Sequence, residues 1–423
     1  MKMSHLAEAI HTSPILTLAA EINGKIQRGE KFYNLTVGDF NPQIFPIPEE
    51  LREAIIAAYQ AGHTNYPGAV GVANLRQAIV EFLQNRGGVT YSPDEVLIAS
   101  GGRPLIYAAY QVIVDPGDKV IFPVPSWNND YYCQLSRGEP VVLETTPETN
   151  FMPTAESIEP HLNEAVLIAL CSPLNPTGTV LREQQLRDIC DLVLEENRRR
   201  GGNRKPVYLL FDQIYWLLTF GSTRHYNAVN VCPEIRDYAI FTDGISKAFA
   251  ATGVRLGWGF GPAELIGKMK TVVAHMGAWA PKAEQVATGE FLSRTEAVEN
   301  YLNRFRREIQ ARLEGFYKGF MNLRQKGYPV DAIEPQAAIY LTVKLDLVGA
   351  RTAEGQTLST NAEVHRYILN EARVGLVPFS YFGASPESPW YRLSVGTCRL
   401  EEVEVIMSSL EAALERLQVC TRQ

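Results

Sequence analysis

The residue around which this sequence could organise chemistry is Lys247, set in residues 244–257 (GISKAFAATGVRLG) between Ser246 and, eight positions on, Arg255. Its alanine, phenylalanine and glycine neighbours do not suit a solvated ammonium. Desolvation disfavours the charged form and leaves a lysine amine nucleophilic toward carbonyls. Alone, a loop lysine with its stem laid on apolar neighbours is the simpler reading. Three further positions, each at the end of an apolar run, change that balance. Asp212 closes the run 206–211, with Tyr215 three residues later. Asn175 lies in the proline- and glycine-fixed segment 172–178 (SPLNPTG). Gly101, Gly102 and Arg103 join a predicted strand to a helix, where free backbone N–H groups suit a phosphate. Singly, Asp212 as a cap, Asn175 as a turn residue, Tyr215 as core and the glycine pair as plain connection are each the commoner outcome. Together, a buried acid, a phenol, an amide, a phosphate cradle and a hidden lysine describe a site for pyridoxal phosphate. The lysine forms the Schiff base there, and the acid keeps the pyridine nitrogen protonated so that the ring can accept carbanion electrons.

The elements that must position these residues alternate between strand and helix. Apolar runs at 95–99, 119–122, about 141–144, 165–170, 206–212 and 238–241 read as strands. Helices are expected at 49–61, from Leu75 to the stop at Gly87-Gly88, at 104–114 and at 182–196. Near-continuous apolar strands between helices predict an α/β fold with a mostly parallel sheet covered on both faces. After Pro262 helices dominate. The longest has Val298, Leu302, Phe305, Ile309, Leu313, Phe316, Phe320 and Leu323 at steps of three and four. A strand at 338–342 follows, then a capping box of Thr360 and Glu363; the polar segment 351–359 reads as a mobile loop. These patterns predict a large domain over 47–291. A small α+β domain would be built from both chain ends, 1–46 and 292–423.

The chain has 423 residues, more than one core usually serves. Hydrophobic residues at 46% and charged ones at 21% describe an ordinary globular protein. A formal net charge of −7 argues against a nucleic-acid or acidic-membrane binder. Cys133, Cys171, Cys190, Cys232, Cys398 and Cys420 lack CxxC or Cys/His ligand spacing, which favours reduced thiols over disulfides or a metal site. Residues 1–20 lack a signal-peptide core, and no run approaches a membrane span. A soluble, cytoplasmic protein is expected.

Segment 244–257 resembles the lysine signature of class I/II aminotransferases of the aspartate aminotransferase-like family, fold type I of the pyridoxal-phosphate enzymes. The resemblance extends over most of the chain: residues 35–39 (LTVGD), Asn65-Tyr66, 71–76, Gly101-Gly-Arg103, Trp127, Asn175-Pro-Thr-Gly178, Asp212-Gln-Ile-Tyr215 and Tyr391-Arg-Leu-Ser394. It implies that Lys247 binds the cofactor and shuttles the substrate proton. Asp212 would pair with the pyridine nitrogen, Asn175 and Tyr215 with the ring oxygen, and Trp127 would stack on the ring. Gly102, Arg103, Ser246 and Arg255 would hold the phosphate, joined by Tyr66 from a partner subunit. Arg392 would grip the substrate α-carboxylate, helped by backbone near Gly38 and by Asn175. Two departures stand out: Gln213 replaces the usual glutamate after the acid, and Trp127-Asn-Asn-Asp130 lacks the aromatic that often follows the tryptophan. The expectation is a homodimeric aminotransferase with ping-pong chemistry, moving an amino group from an L-amino acid to a 2-oxo acid. Arg103 would read a second carboxylate and so select aspartate or glutamate. The alternatives are broad or aromatic specificity, or a lyase on the same scaffold (a carbon–sulfur lyase or an aminocyclopropane-carboxylate-synthase-like enzyme). A regulator using the domain as an effector sensor is a further, non-enzymatic class.

Overall fold

The structure, a computed structural model, describes residues 2–418; Met1 and residues 419–423, with Cys420, lie outside it. Its strands are β1 (Tyr33–Asn34), β2 (Val96–Ala99), β3 (Lys119–Val124), β4 (Glu139–Glu144), β5 (Ala165–Cys171), β6 (Tyr208–Asp212), β7 (Ala239–Gly244), β8 (Gly257–Phe260), β9 (Val330–Ala332), β10 (Tyr340–Leu345), β11 (Val374–Gly375), β12 (Val377–Pro378) and β13 (Trp390–Ser394). β2 to β8 form a seven-stranded sheet of order β2-β8-β7-β6-β5-β3-β4. It is parallel except for β8, which runs against both its neighbours.

The apolar runs are buried on both faces because successive side chains point to opposite sides of a strand. Leu209 and Phe211 of β6 join one core cluster while Leu210 joins the other; Ala239 and Phe241 of β7 are divided from Ile240 in the same way. Helices Gly102–Ile113 and Ala263–Met276 cover the second face, with Ala108, Ala109, Met269 and Val273 inward. Helices Ala73–Phe82, Glu183–Arg200 and Lys282–Leu292 cover the first.

A second, antiparallel sheet of order β12-β13-β10-β9 packs on the helix Thr295–Gln325. β1 pairs in parallel with β11, which joins the two ends of the chain (Tyr33 opposite Val374). The capping box at Thr360 and Glu363 is present. No helix among the described residues is long and apolar enough to cross a membrane. Cys133, Cys171, Cys190, Cys232 and Cys398 are free thiols.

Several expectations need correcting. β8 begins on the last residue of the lysine signature, where Gly257 and Gly259 hide a strand from any propensity argument. A helix at Pro14–Gln27 went unread, although Ile15, Leu18 and Ile22 keep helical spacing and are buried. The helix expected from 104 begins at Gly102, and the one expected to end near 196 runs to Arg200. The strand expected at 338–342 is shifted to Tyr340–Leu345. Segment 351–359 is held rather than loose: Arg351 bridges to Thr357 and Gln418, and the buried Leu358 donates its N–H to Ala350 O at 2.9 Å.

Candidate active site

The carboxyl ends of β2, β5, β6 and β7 converge on one cleft of about 490 Å³, within the range of small-molecule sites. Asp212 is the last residue of β6 and shares a face with Leu210, so its carboxyl points to the cleft side of the sheet. β7 ends at Gly244, and the short helix Ile245–Ala248 lifts Lys247 over the same opening.

A side chain approaches the backbone closely at the N-terminus of the helix Gly102–Ile113. Gly101 has φ +99°, and a Cβ there would lie 2.5 Å from Arg255 Nη2. That freedom lets Arg255 donate to Ser100 O at 2.9 Å and to Thr252 O at 2.7 Å. The loop with Asn175 is pinned from the other side. Gly178 has φ +70°, and its Cβ would meet Tyr340 O at 2.3 Å. Thr342 Oγ1 donates to Thr177 O at 2.8 Å, and Ala337 N to Gly178 O at 2.9 Å. The second sheet is thus bonded directly to the loop that presents Asn175.

Register in that second sheet brings in the remaining groups. Thr342 pairs with Arg392 and Tyr340 with Ser394, so Tyr340 and Arg392 share a face diagonally, with the guanidinium 4.7 Å from the Tyr340 ring centre. Arg392, 2% exposed, donates Nη1 to Asn175 Oδ1 at 2.8 Å and Nη2 to Thr36 O. Its Nε is buried with no protein partner. The Tyr215 and Tyr340 hydroxyls are hydrogen-bonded to each other at 2.7 Å. Lys247 Nζ donates to Gly38 O, and Thr252 Oγ1 to Asp39 Oδ1 at 2.6 Å.

The electrostatics follow from burial in this cleft. Desolvation pushes the Lys247 amine down to about 8; Asp39 opposes this, while Arg392, Arg103 and Arg255 add to it. Burial likewise pushes the Asp212 carboxyl up to about 6, eased by the Ile214 N–H, the neighbouring Thr242 hydroxyl and the charge of Lys247. Burial holds the Tyr215 phenol well above its usual value, so it stays neutral. An amine near neutrality facing an acid and a cluster of cations suits carbonyl chemistry on an anionic ligand.

Of the residues singled out in the sequence, Gly38, Gly102, Arg103, Trp127, Asn175, Asp212, Tyr215, Ser246, Lys247, Arg255 and Arg392 all line this cleft. Arg103 lies over Trp127, its guanidinium 5.2 Å from the ring centre. Tyr66 does not line it: 82% exposed, its ring meets only the edge of Trp279, at 5.4 Å. The profile of the family "Aminotransferase class I and II" matches residues 30–410. The chain belongs to the class I and II aminotransferases.

An aspartate aminotransferase of Bacillus sp. (strain YM-2) is 28% identical over 97% of this aminotransferase and 98% of its own length. One from Rhizobium meliloti is 28% identical over 97% and 95%. The crystal structure of the Rhizobium meliloti aspartate aminotransferase superposes with a TM-score of 0.88 at 26% identity, covering 99% of this chain and all of that one. The Thermus thermophilus aspartate aminotransferase solved with maleate gives 0.83 at 27%, covering 98% of both chains. The fold is therefore fold type I of this family, and the chain is a transaminase acting on amino acids and 2-oxo acids.

Sequence reasoning missed several cleft residues of this aminotransferase. Tyr340 carries no local signal, because only the pairing of β10 with β13 brings it in; Asp39 and Thr252 lie within the quoted stretches 35–39 and 244–257, but nothing in either stretch shows that the folded N-terminal segment bonds one to the other. Ile15, Leu16 and Ala19 of the helix Pro14–Gln27 line the mouth with Ile106, and the apolar spacing of that helix could have found them. Tyr132 and Asn129, in the helix Asn129–Ser136 after Trp127, complete the wall.

Proposed function

We propose that this aminotransferase works with pyridoxal 5′-phosphate on Lys247 and moves an amino group from L-aspartate or L-glutamate to a 2-oxo acid by a ping-pong route. The residues present fit the group. The Arg255 guanidinium, held against the Gly101 backbone, forms a close cradle with the N-terminus of the helix Gly102–Ile113, where a phosphate is favoured. When bound, the cofactor supplies the sink for the electron pair left as an amino acid loses its Cα proton.

The protein's own groups do the rest. Arg255, Ser246 and the Gly102 and Arg103 N–H groups would hold the phosphate, and Trp127 would lie against the ring. Asp212 would pair with the ring nitrogen, and its ionised form would be favoured once a cation lay against it. Asn175 and Tyr215 take the ring oxygen. Lys247 would take up and return the substrate Cα proton, for which an amine near neutrality suits both directions. Arg392 holds the α-carboxylate with its free Nε and fork, beside the Gly38 backbone.

The observation behind a dicarboxylate substrate is Arg103, an exposed residue that lines the cleft with its guanidinium over Trp127 and has no carboxylate partner among the described ion pairs. Maleate, the ligand of the Thermus thermophilus enzyme's structure, is itself a dicarboxylate. Arg103→Ala should lower kcat/KM for aspartate roughly fiftyfold, the worth of a desolvated bidentate pair, and for alanine or phenylalanine by no more than about threefold. An equal fall for all substrates assigns Arg103 to the cofactor and removes the dicarboxylate reading. A second reading, aromatic substrates, is favoured by the apolar mouth of Ile15, Leu16, Ala19 and Ile106; phenylalanine preferred over aspartate in the unaltered enzyme would select it.

The same proposal includes a homodimer with shared sites. Tyr66 is exposed on this chain and does not line its own cleft; Ile56 and Tyr59 of the helix Glu49–Gln60 are exposed as well. Tyr66 would reach the phosphate of a partner's cofactor. Sedimentation at assay concentration should find a dimer, and Tyr66→Phe should weaken cofactor binding about tenfold, the loss of one charge-assisted hydrogen bond. An active monomer rules this out.

A further inference from the structure

Behind the cleft, on the opposite face of the sheet, lies a second polar cluster. Strand alternation separates the two. Thr242 of β7 shares the cleft face with Asp212, whereas Asp243 shares the other with Phe241. Asp243 is 2% exposed and does not line the cleft. Its Oδ1 accepts the Gly244 N–H at 2.7 Å, and its Oδ2 accepts the Trp216 indole N–H at 2.8 Å. The Gln213 side chain is a further hydrogen-bond neighbour. Gln213 Oε1 in turn accepts from Asn227 Nδ2 at 3.0 Å, and Gln213 N donates to Thr242 O at 3.0 Å. No lysine, arginine or histidine pairs with Asp243 among the described ion pairs.

A buried carboxyl without a cation is costly and is kept only where its hydrogen bonds serve something. The two elements that these bonds join are the two that carry the chemistry. Gln213 and Trp216 belong to the turn holding Asp212 and Tyr215; Gly244 opens the turn that lifts Lys247. Two oxygens facing different ways let one carboxyl receive N–H groups from both turns at once. An amide in its place would set an NH2 against one of those donors.

We propose that Asp243 is a positioning residue that ties the Asp212–Tyr215 turn to the Lys247 turn from behind the sheet, and so fixes how the lysine meets the cofactor ring. It touches neither substrate nor cofactor. The replacement of the family's usual glutamate by Gln213 belongs to the same device, since a second carboxyl beside Asp243 in this dry layer would repel it. The inference rests on the reading of Lys247 and Asp212 given above.

The test uses the full chain loaded with pyridoxal 5′-phosphate, with Asp243→Asn and Trp216→Phe as variants. Phe82→Leu is the packing control, because Phe82 meets the same indole edge-on at 5.9 Å without a polar contact. Three quantities are read: kcat, KM for the amino donor, and the induced circular dichroism of the cofactor's visible band, which reports ring orientation. Both variants should lower kcat about tenfold and alter the dichroism, with KM changed by less than about twofold. Adding Trp216→Phe to Asp243→Asn should cost less than the product of the two single effects, because the donor facing the amide is gone. Phe82→Leu should lower Tm while leaving the dichroism in place. Unchanged dichroism and kcat in Asp243→Asn and Trp216→Phe, or an equal change in Phe82→Leu, would overturn the positioning role. A wild-type chain that gives no visible band with the cofactor would instead defeat the reading of Lys247, a distinct outcome.

Discussion

Lys247→Ala should abolish the visible absorbance of the lysine-bound cofactor and lower kcat by about 10⁴-fold or more, because covalent attachment and proton shuttling are lost together. Folding should survive, since burial makes the ammonium a cost to the chain rather than a support. Burial pushes the Lys247 amine down to about 8. An amine so shifted is more readily held charged in the unfolded chain, so its contribution to stability is least favourable at low pH and improves as pH rises through about 8 toward the unfolded value. Loading of the cofactor-free protein should follow the neutral amine. Its rate should climb with pH and level off above about 8, measured by stopped-flow absorbance. A Lys247→Ala protein that still turns over at more than about a hundredth of the wild-type rate would remove the lysine from the mechanism.

Arg392→Ala should lower kcat/KM for every amino acid by roughly 10²–10³-fold, as expected for losing a desolvated, forked ion pair to the α-carboxylate. Arg392→Lys should recover only part of this, since an ammonium restores the charge without the fork. The alanine variant should also lose stability, because Arg392 bonds Asn175 and the Thr36 carbonyl in a dry setting and leaves both acceptors unpaired when removed. The two effects separate by experiment: Tm reports the loss of the Asn175 and Thr36 bonds, while Kd for a dicarboxylate inhibitor reports the ligand. An Arg392→Ala enzyme within about threefold of wild type in kcat/KM would move carboxylate recognition elsewhere.

Much of the α/β architecture was legible because its strands are short apolar runs between helices, and burial on both faces leaves that mark in any single stretch. The residues at strand ends were legible for a related reason. Asp212 closes such a run, and Asn175 and Lys247 come within a few residues of the end of one, so the sequence itself says that they emerge where loops converge. β8 was not legible, since two glycines in four residues look like a turn until the neighbouring strands supply hydrogen bonds. Tyr340 could not be assigned to the cleft, because its place depends on register with β13 and on the Gly178 approach rather than on its neighbours in sequence. Asp243 was hidden differently. One residue from Thr242 in sequence, it works on the other face of the sheet, and only strand parity separates their roles.

The bonds around Arg392 and Lys247 also determine when the site can exist at all. Thr36 O accepts from a residue 356 positions later, Gly38 O from one 209 positions later, and Thr177 O from one 165 positions later. Closing loops of such span is slow relative to forming local helices, and it yields nothing until both ends are present. During synthesis the seven-stranded sheet can form once Phe260 has been made. The segment from Thr36 to Asp39, made early, must then wait for β10 and β13 before its carbonyls find their donors. Until Arg392 arrives, the ends of β5, β6 and β7 lie open, and that interval is when this chain is most exposed to misassembly.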